Sequence, residues 1–597
     1  MRRLFFLLLL VTLVGLVVAG GSYLLLQRAE APGWGSDKIL TLTLDRPLRE
    51  QALEPTLPFL DPEEQASLAL LYRGFLAART DPSVVGVALY IQDASFGLAK
   101  AQEFRRQIAE LDKAGKPVHC FLETAGEGGN GTLEYYLASA CTSLALAPAG
   151  EINLLGLYAD GLFLRGGLEK LRIEPSFLTA GEFKSAAEIF TEVRHSPAAK
   201  VALDALLDSF FSQIVDGIAA ARERDAETVR AWVDAAPVSA AEALEKGLVD
   251  ELAYPDEFRD GLDALGDGAG EDAERVDFLD YARGVSRHLA GGKRIAVLFA
   301  QGAIVRGGSG GDSFASESFL GSDDMAGELR ALADDDSVVA VVLRIDSPGG
   351  SALASDLILR EVEQLRARKP VVASMSDVAA SGGYYIAARA TRIVAEPATI
   401  TGSIGVVTGK LATGRFQEEL LGITHDPLQR GANADLYSGL KPFDERQTAV
   451  LRRRVNEIYG RFLDHVAEGR KLSRAAVEAV AEGRVWTGAD ALAVGLVDEL
   501  GGIDRAIALA REQAEVPESD RLPLVFLPKP PSFWELFSTD SGPGLEARLL
   551  ALVEARLAGE LAGRLGARYG AALPPPVARP RLELEIDGGW QALAQGL

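Results

Sequence analysis

The chain has 597 residues, and 85 acidic against 61 basic side chains leave a net charge of −24. That length holds several domains, 48% hydrophobic with 24% charged residues excludes a disordered or collagen-like chain, and the acidic balance argues against nucleic acid, whose phosphates need a basic surface. Two cysteines, Cys120 and Cys141, can make neither a disulfide framework nor a four-thiolate zinc site. Both read first as core residues, and the sequence leaves open whether they pair.

Arg2 and Arg3 precede an uncharged, mostly apolar run from Leu4 to Leu26. As a helix it would span about 34 Å, enough for a bilayer core. A signal-peptidase cut after Val17-x-Ala19 is the alternative, but the apolar run continues through Tyr23, Leu24, Leu25 and Leu26, which favours an uncleaved anchor over residues 1–30. With the two arginines held on the cytoplasmic side, the rest of the chain is expected outside the cytoplasm.

The body repeats itself. Ser83-Val84-Val85-Gly86-Val87 resembles Ser337-Val338-Val339-Ala340-Val341, the run from Tyr135 resembles that from Tyr384, and GLVDEL occurs from Gly247 and again from Gly495. Three matches at nearly constant offset mark a duplication. They predict a first repeat domain over 38–265, a linker over 266–292 and a second repeat domain over 293–512. In the second unit, Val338 to Ile345 is a strand interrupted by one arginine, Ser355 to Arg368 a helix with Ile358, Val362 and Leu365 on one face, and Val371 to Met375 another strand. Continuous apolar strands alternating with helices predict a mainly parallel α/β sheet with helices on both faces. The tail over 513–597 begins with Pro528, Pro530 and Pro531, and then Leu545, Leu549, Leu552, Val553, Leu557, Leu561 and Leu565 recur at helical spacing.

Two glycine-bearing turns follow neighbouring strands. Asp346-Ser347-Pro348-Gly349-Gly350 places unobstructed N–H groups at the carboxyl edge of the sheet, where they could cradle an oxyanion. Asp377-Val378-Ala379-Ala380-Ser381-Gly382-Gly383-Tyr384 sets Ser381 between a strand and a helix. Such a serine is ordinarily an N-cap, but beside a second glycine turn it reads as a nucleophile. None of His119, His195, His288, His425 and His465 lies in a triad-like setting. At an offset of 249 residues Ser381 matches Thr132, while Lys184 of the first unit matches Asn433 of the second. With Asp346 set on Asp93, the Ser347-Pro348-Gly349-Gly350 turn falls on Ala94-Ser95-Phe96-Gly97, so the first unit has lost the glycine pair. Each unit thus lacks what the other keeps, and Lys184, among Phe183, Ala186, Ala187, Ile189 and Phe190, becomes the candidate base.

SMSDVAASGGYYIA around Ser381, GEFKSAAE around Lys184, TGSIGV around Ser403 and RVWTG before Ala489 resemble the long, duplicated form of signal peptide peptidase A, also called protease IV, over nearly the whole chain. The resemblance implies two tandem Clp/crotonase-like α/β domains behind one N-terminal transmembrane helix. It implies a serine endopeptidase with Ser381 as nucleophile, Lys184 as general base and Ser403 orienting the lysine. Gly350 and Gly382 would supply the oxyanion N–H groups. It further implies signal-peptide remnants and other apolar peptides as substrates and a homo-oligomer, a tetramer by resemblance. The expected location is the cytoplasmic membrane, with the body on the periplasmic or extracytoplasmic side. No metal or cofactor is implied. Phe183, Ile189 and Ser376 depart from the residues usual at their positions. Competing readings are an acyl-CoA enzyme of the crotonase group, a non-catalytic membrane scaffold and a Ser-His hydrolase.

Overall fold

A computed structural model describes residues 37–51, 67–263, 273–285, 292–311, 318–517 and 522–528. The anchor expected over 1–30 and the amphipathic tail helix lie outside the described residues. Among the described residues no helix is long and apolar enough to cross a membrane.

Each repeat builds a parallel sheet in the same strand order. The first runs Glu251–Leu252, Ser143–Leu146, Val118–Leu122, Val84–Ile91, Lys38–Leu44, Glu274–Asp277, with every pairing parallel. The second repeats it as Glu499–Leu500, Arg392–Ala395, Val371–Ala380, Val338–Ser347, Arg294–Gln301, Leu524–Leu527, and Ile400–Gly402, paired with Val378 to Ala380, and antiparallel Val485–Thr487 extend it. Strands such as Val338–Ser347 are buried on both faces because helices cover both, which is why they read as continuous apolar runs. The helix Ala352–Arg366 buries Ile358, Val362 and Leu365 and is started by Ser351, whose hydroxyl accepts from the Ala354 N–H.

The edge strands fall outside the repeat boundaries drawn from the sequence. Within the stretch expected to be linker, Glu274–Asp277 pairs with Lys38–Leu44, and the helix Phe278–Val285 buries Phe278 against Phe75. Likewise Leu524–Leu527, inside the stretch assigned to the tail, completes the second sheet against Arg294–Gln301. A three- or four-residue edge strand carries too little periodicity to be seen in sequence, so charge and glycine content dominated the reading. Cys120 and Cys141 are buried and joined in a disulfide, tying the strand Val118–Leu122 to the turn after the helix Thr132–Ala138.

The repeats share a core. The helix Leu68–Thr80 of the first unit sends Phe75 into that unit's own core and Ala69 and Tyr72 into the core beneath Ile295, Val297 and Phe299 of the second. A seven-residue antiparallel ladder also joins them, Glu174–Ala180 of the first against Val406–Ala412 of the second. That ladder delivers the segment after Ala180 to the end of the second sheet.

Candidate functional site

The strand Val371–Ala380 ends with Ala380 opposite Gly402 of the neighbouring strand. The residues that follow, Ser381 and Ser403, therefore leave the sheet side by side. Both take a left-handed φ, 53° and 50°, a conformation that costs a residue with a Cβ about 1–3 kcal/mol and persists only where the surroundings fix it. Here the Ser381 N–H donates to the Gly402 carbonyl at 2.9 Å and the Ser403 N–H to the Arg484 carbonyl at 2.7 Å. Ser381 occupies the N-cap position of the helix Gly382–Ala387, yet its side chain makes no capping hydrogen bond. The hydroxyl is turned to another partner.

That partner is Lys184. Its Nζ lies 3.2 Å from Ser381 Oγ, 2.9 Å from Ser403 Oγ and 3.1 Å from the Ser403 carbonyl oxygen. The lysine follows the inter-repeat ladder directly, and the 482–484 segment lies between it and the second sheet. Phe183 N–H donates to Glu482 O at 2.7 Å, and Gly483 N–H donates to Ile404 O at 2.8 Å. A side chain at Gly483, where φ is 77°, would come within 2.6 Å of Lys184 N and Cβ, so glycine is required for this approach. Lys184 as a whole is half-buried, but its amine end is enclosed, and burial lowers its pKa from the ordinary lysine value to about 8. About a tenth of such an amine is neutral at pH 7, against roughly one part in 2,500 for an exposed lysine.

The Pro348-Gly349-Gly350 turn packs against the start of the helix that follows Ser381. A Cβ on Gly349 would sit 2.5 Å from Gly382 N and 2.9 Å from Ser381 Cβ, and one on Gly382 would sit 3.1 Å from Gly350 N. Gly349 has φ 101°. Two glycines thus allow the N–H groups of Gly350 and Gly382 to lie together beside Ser381. Among the described residues neither donates a backbone hydrogen bond outside the sheet and helix ladders, and Gly382, as the first helical residue, has no partner within its own helix. All five residues singled out in the sequence, Ser381, Lys184, Ser403, Gly350 and Gly382, are brought to one place.

A family model described as Peptidase family S49 matches residues 110–267 and 363–517, one stretch in each repeat. The chain belongs to peptidase family S49. It is 36% identical over 470 residues to "Serine protease SPPA, chloroplastic" of Arabidopsis thaliana, covering 78% of this chain and 68% of the relative. It is 33% identical to "Protease 4" of Haemophilus influenzae, covering 73% and 71% of the two chains, and 32% identical to "Protease 4" of Salmonella typhi, covering 76% and 73%. The protein is a serine-type peptidase of this family.

In this S49 peptidase the described histidines sit elsewhere. His119 pairs with Ser143, His425 with Gln417, and His465 with Arg389, while His195 packs on Phe163. Among the described residues no histidine hydrogen-bonds Ser381. The counterpart hydroxyl in the first unit, Thr132, is buried, 1% exposed, and bound to Asn130 Oδ1 at 2.6 Å and to the Gly156 N–H at 2.9 Å. It is a structural hydroxyl.

Sequence reading missed a buried ionic network between the repeats. Arg344, 1% exposed, donates to Glu50 at 2.9 Å, to Glu103 at 2.6 Å and to the hydroxyls of Ser374 and Ser376 at 3.0 Å each. Lys100 lies beside it among Asp346, Asp377 and Glu50. The visible signal was Arg344 itself, a lone charge inside an apolar strand. A buried charge must be paired, and its carboxylates had to come from the other repeat. Ser376 adds a hydroxyl to this network that a glycine would lack, and it also bonds Glu50. Phe183 lies under the Arg484 guanidinium, 5.5 Å from its ring centre.

Proposed function

We propose that the protein is a Ser-Lys endopeptidase that cleaves apolar peptides, signal-peptide remnants among them, outside the cytoplasm. The observation that carries the reading is the enclosed Lys184 amine 3.2 Å from Ser381 Oγ with a pKa near 8. A neutral amine has two N–H bonds and one lone pair. With the two Ser403 oxygens accepting the N–H bonds, the lone pair is left for the Ser381 proton. Lys184 takes that proton as Ser381 Oγ bonds to the substrate carbonyl carbon, and the N–H groups of Gly350 and Gly382 donate to the developing oxyanion. The lysine ammonium returns the proton to the departing amine as the C–N bond breaks, leaving an ester on Ser381. Lys184 then deprotonates water, whose oxygen adds to the ester carbon; the C–Oγ bond breaks as the lysine ammonium returns the proton to Ser381 Oγ, releasing the acid.

The test is trapping of the ester. The detergent-solubilised full chain, given a short apolar peptide p-nitrophenyl ester, is expected to release a burst of nitrophenol and to carry the acyl mass on the fragment containing Ser381. Ser381→Ala should show neither. Turnover by Ser381→Ala at the wild-type rate would end the proposal.

Two further parts of the reading concern place and assembly. The apolar run at Leu4 to Leu26 supports a single N-terminal anchor that holds the body at the membrane, where cleaved signal peptides remain. Assembly is supported by the duplication. At the 249-residue offset the paired strands Val406–Ala412 and Glu174–Ala180 have counterparts at 157–163 and 423–429, and among the described residues the one backbone hydrogen bond outside the ladders that an N–H of either donates is that of Ile423 to the Gln417 carbonyl at 2.8 Å. These counterparts lie outside the named helices and strands and expose Tyr158 and Leu162 in one and Leu428 in the other. Repeating the internal ladder between copies would join 157–163 of one chain to 423–429 of the next, a head-to-tail contact that forms a ring where the rotation between copies closes. Alkaline carbonate should leave the full chain in the membrane pellet, and the detergent-solubilised protein should sediment as a multiple of 63.4 kDa. A soluble monomer would remove both parts.

A further inference from the structure

The strand ends that carry Ser381 and the Gly349-Gly350 turn converge on one buried amine. Lys100 lies in the first turn of the first-repeat helix Leu98–Lys113, its side chain 7% exposed. Its Nζ is 2.6 Å from Asp346 Oδ2, 3.1 Å from Asp377 Oδ2 and 3.8 Å from Glu50 Oε1. Asp346 stands three residues before Gly349, and Asp377 stands four residues before Ser381. The amine therefore grips both catalytic strands of the second repeat from the other repeat.

Each carboxylate also holds backbone. Asp346 Oδ1 accepts from the Val378 N–H at 3.2 Å, where the ladder between the two strands shifts register from Ile345 to Ser347. Asp377 accepts from the N–H groups of Gly97 and Lys100, both at 2.9 Å, and so caps the helix that carries Lys100. A Cβ at Gly97 would lie 2.3 Å from Asp377, so glycine is needed for this approach. Regular pairing between the two strands ends at Ser347 opposite Ala379. Beyond it the chain enters turns with φ of 101° at Gly349, 149° at Gly350 and 53° at Ser381. Just before that last pair the ladder is irregular, shifting register between Ile345 and Ser347, and charge-assisted bonds from Asp346 and Asp377 to a shared cation tie the two strands there. The three carboxylates keep Lys100 charged, so it is no rival to Lys184 as a base.

We propose that Lys100 is a positioning residue that sets the Gly350 and Gly382 N–H groups relative to Ser381 across the repeat boundary. The proposal rests on the Ser381 and Lys184 reading of the site. Arg344 pairs with Glu50 and Glu103 in the middle of its strand, whereas Lys100 acts at the ends that lead into the turns. A displacement of about 1 Å in such an arrangement costs on the order of 100-fold in rate.

The experiment compares wild type, Lys100→Met, the double variant Lys100→Met with Asp346→Asn, and Arg106→Gln, all as full chain in detergent. The double variant removes one carboxylate left without its cation while keeping an acceptor for the Val378 N–H. Arg106 pairs with Glu396 across the same boundary but away from the two turns. Active sites are counted by the ester burst, and kcat and KM are expressed per counted site. In both Lys100 variants kcat per site should fall about 10- to 100-fold, with KM within about twofold. The double variant should regain much of the unfolding midpoint without regaining kcat. Arg106→Gln should lower the midpoint and leave kcat per site unchanged. Unchanged kcat per site in Lys100→Met, or the absence of folded protein from both Lys100 variants, would assign Lys100 to stability alone and overturn the proposal. A wild type without a burst would instead strike the peptidase chemistry assigned to Ser381.

Discussion

Lys184→Met is expected to lower kcat/KM at pH 7 by at least about 10³-fold and at the same time to make the protein more stable. The loss follows from removing the base that takes the Ser381 proton, since no other titratable group is bonded to that hydroxyl among the described residues. The gain follows from burial. In the unfolded chain the amine titrates near 10.5, and in the folded chain near 8. Below pH 8 both states carry the proton, and the folded state bears the full penalty of enclosing the charge, at most about 3 kcal/mol at 1.36 kcal/mol per unit. Between pH 8 and 10.5 the folded protein binds fewer protons than the unfolded one, so wild-type stability rises with pH and the penalty disappears. The bonds from Nζ to Ser403 and the partial exposure of the residue reduce the net gain. Urea unfolding of wild type and Lys184→Met at pH 7 and pH 10 reads the difference. The variant should lead at pH 7 and lose its lead by pH 10; a variant less stable at both, by the same margin, would mean that the amine carries no burial penalty.

That trade between activity and stability also explains which parts of the site could be read from sequence. Ser381, Gly350 and Gly382 announced themselves because glycine pairs after strands have a local conformational reason. Lys184 was visible because the duplication gave each residue a counterpart to be compared with and because GEFKSAAE around it resembles the family. The approach of Lys184 to Ser381 spans 197 residues and depends on the ladder Glu174–Ala180 with Val406–Ala412, whose strands show no shared pattern in sequence. The parallel α/β character was legible because both faces of each sheet are covered. The strand Val371–Ala380 outran the expected Met375 end because Ser376 and Asp377, polar by composition, are satisfied there by Arg344, Lys100 and the Gly97 N–H. Lys100, Glu50 and Glu103 carried no local signal at all. Their partners lie on the other repeat, and in a single sequence a paired buried charge looks like a surface one.

The pH dependence of turnover should single out the lysine. If the neutral form of Lys184 is the reactive one, log kcat/KM for an apolar peptide ester rises with unit slope below pH 8 and levels above it. From pH 6 to pH 8 the neutral fraction grows from about 1% to about half, a gain of about 50-fold. A histidine base would bring the turn to about pH 6.5 and leave less than a twofold rise between pH 7 and pH 8. The break near pH 8 belongs to burial alone, because no charged neighbour contributes to the Lys184 shift. Ionic strength should therefore leave it in place, whereas a pKa lowered by a nearby cation would climb as salt screened the repulsion. Profiles recorded at low and high salt, with spontaneous ester hydrolysis subtracted, separate the cases. A break near 6.5, or one that moves with salt, would take the proton from some group other than an enclosed, uncharged Lys184.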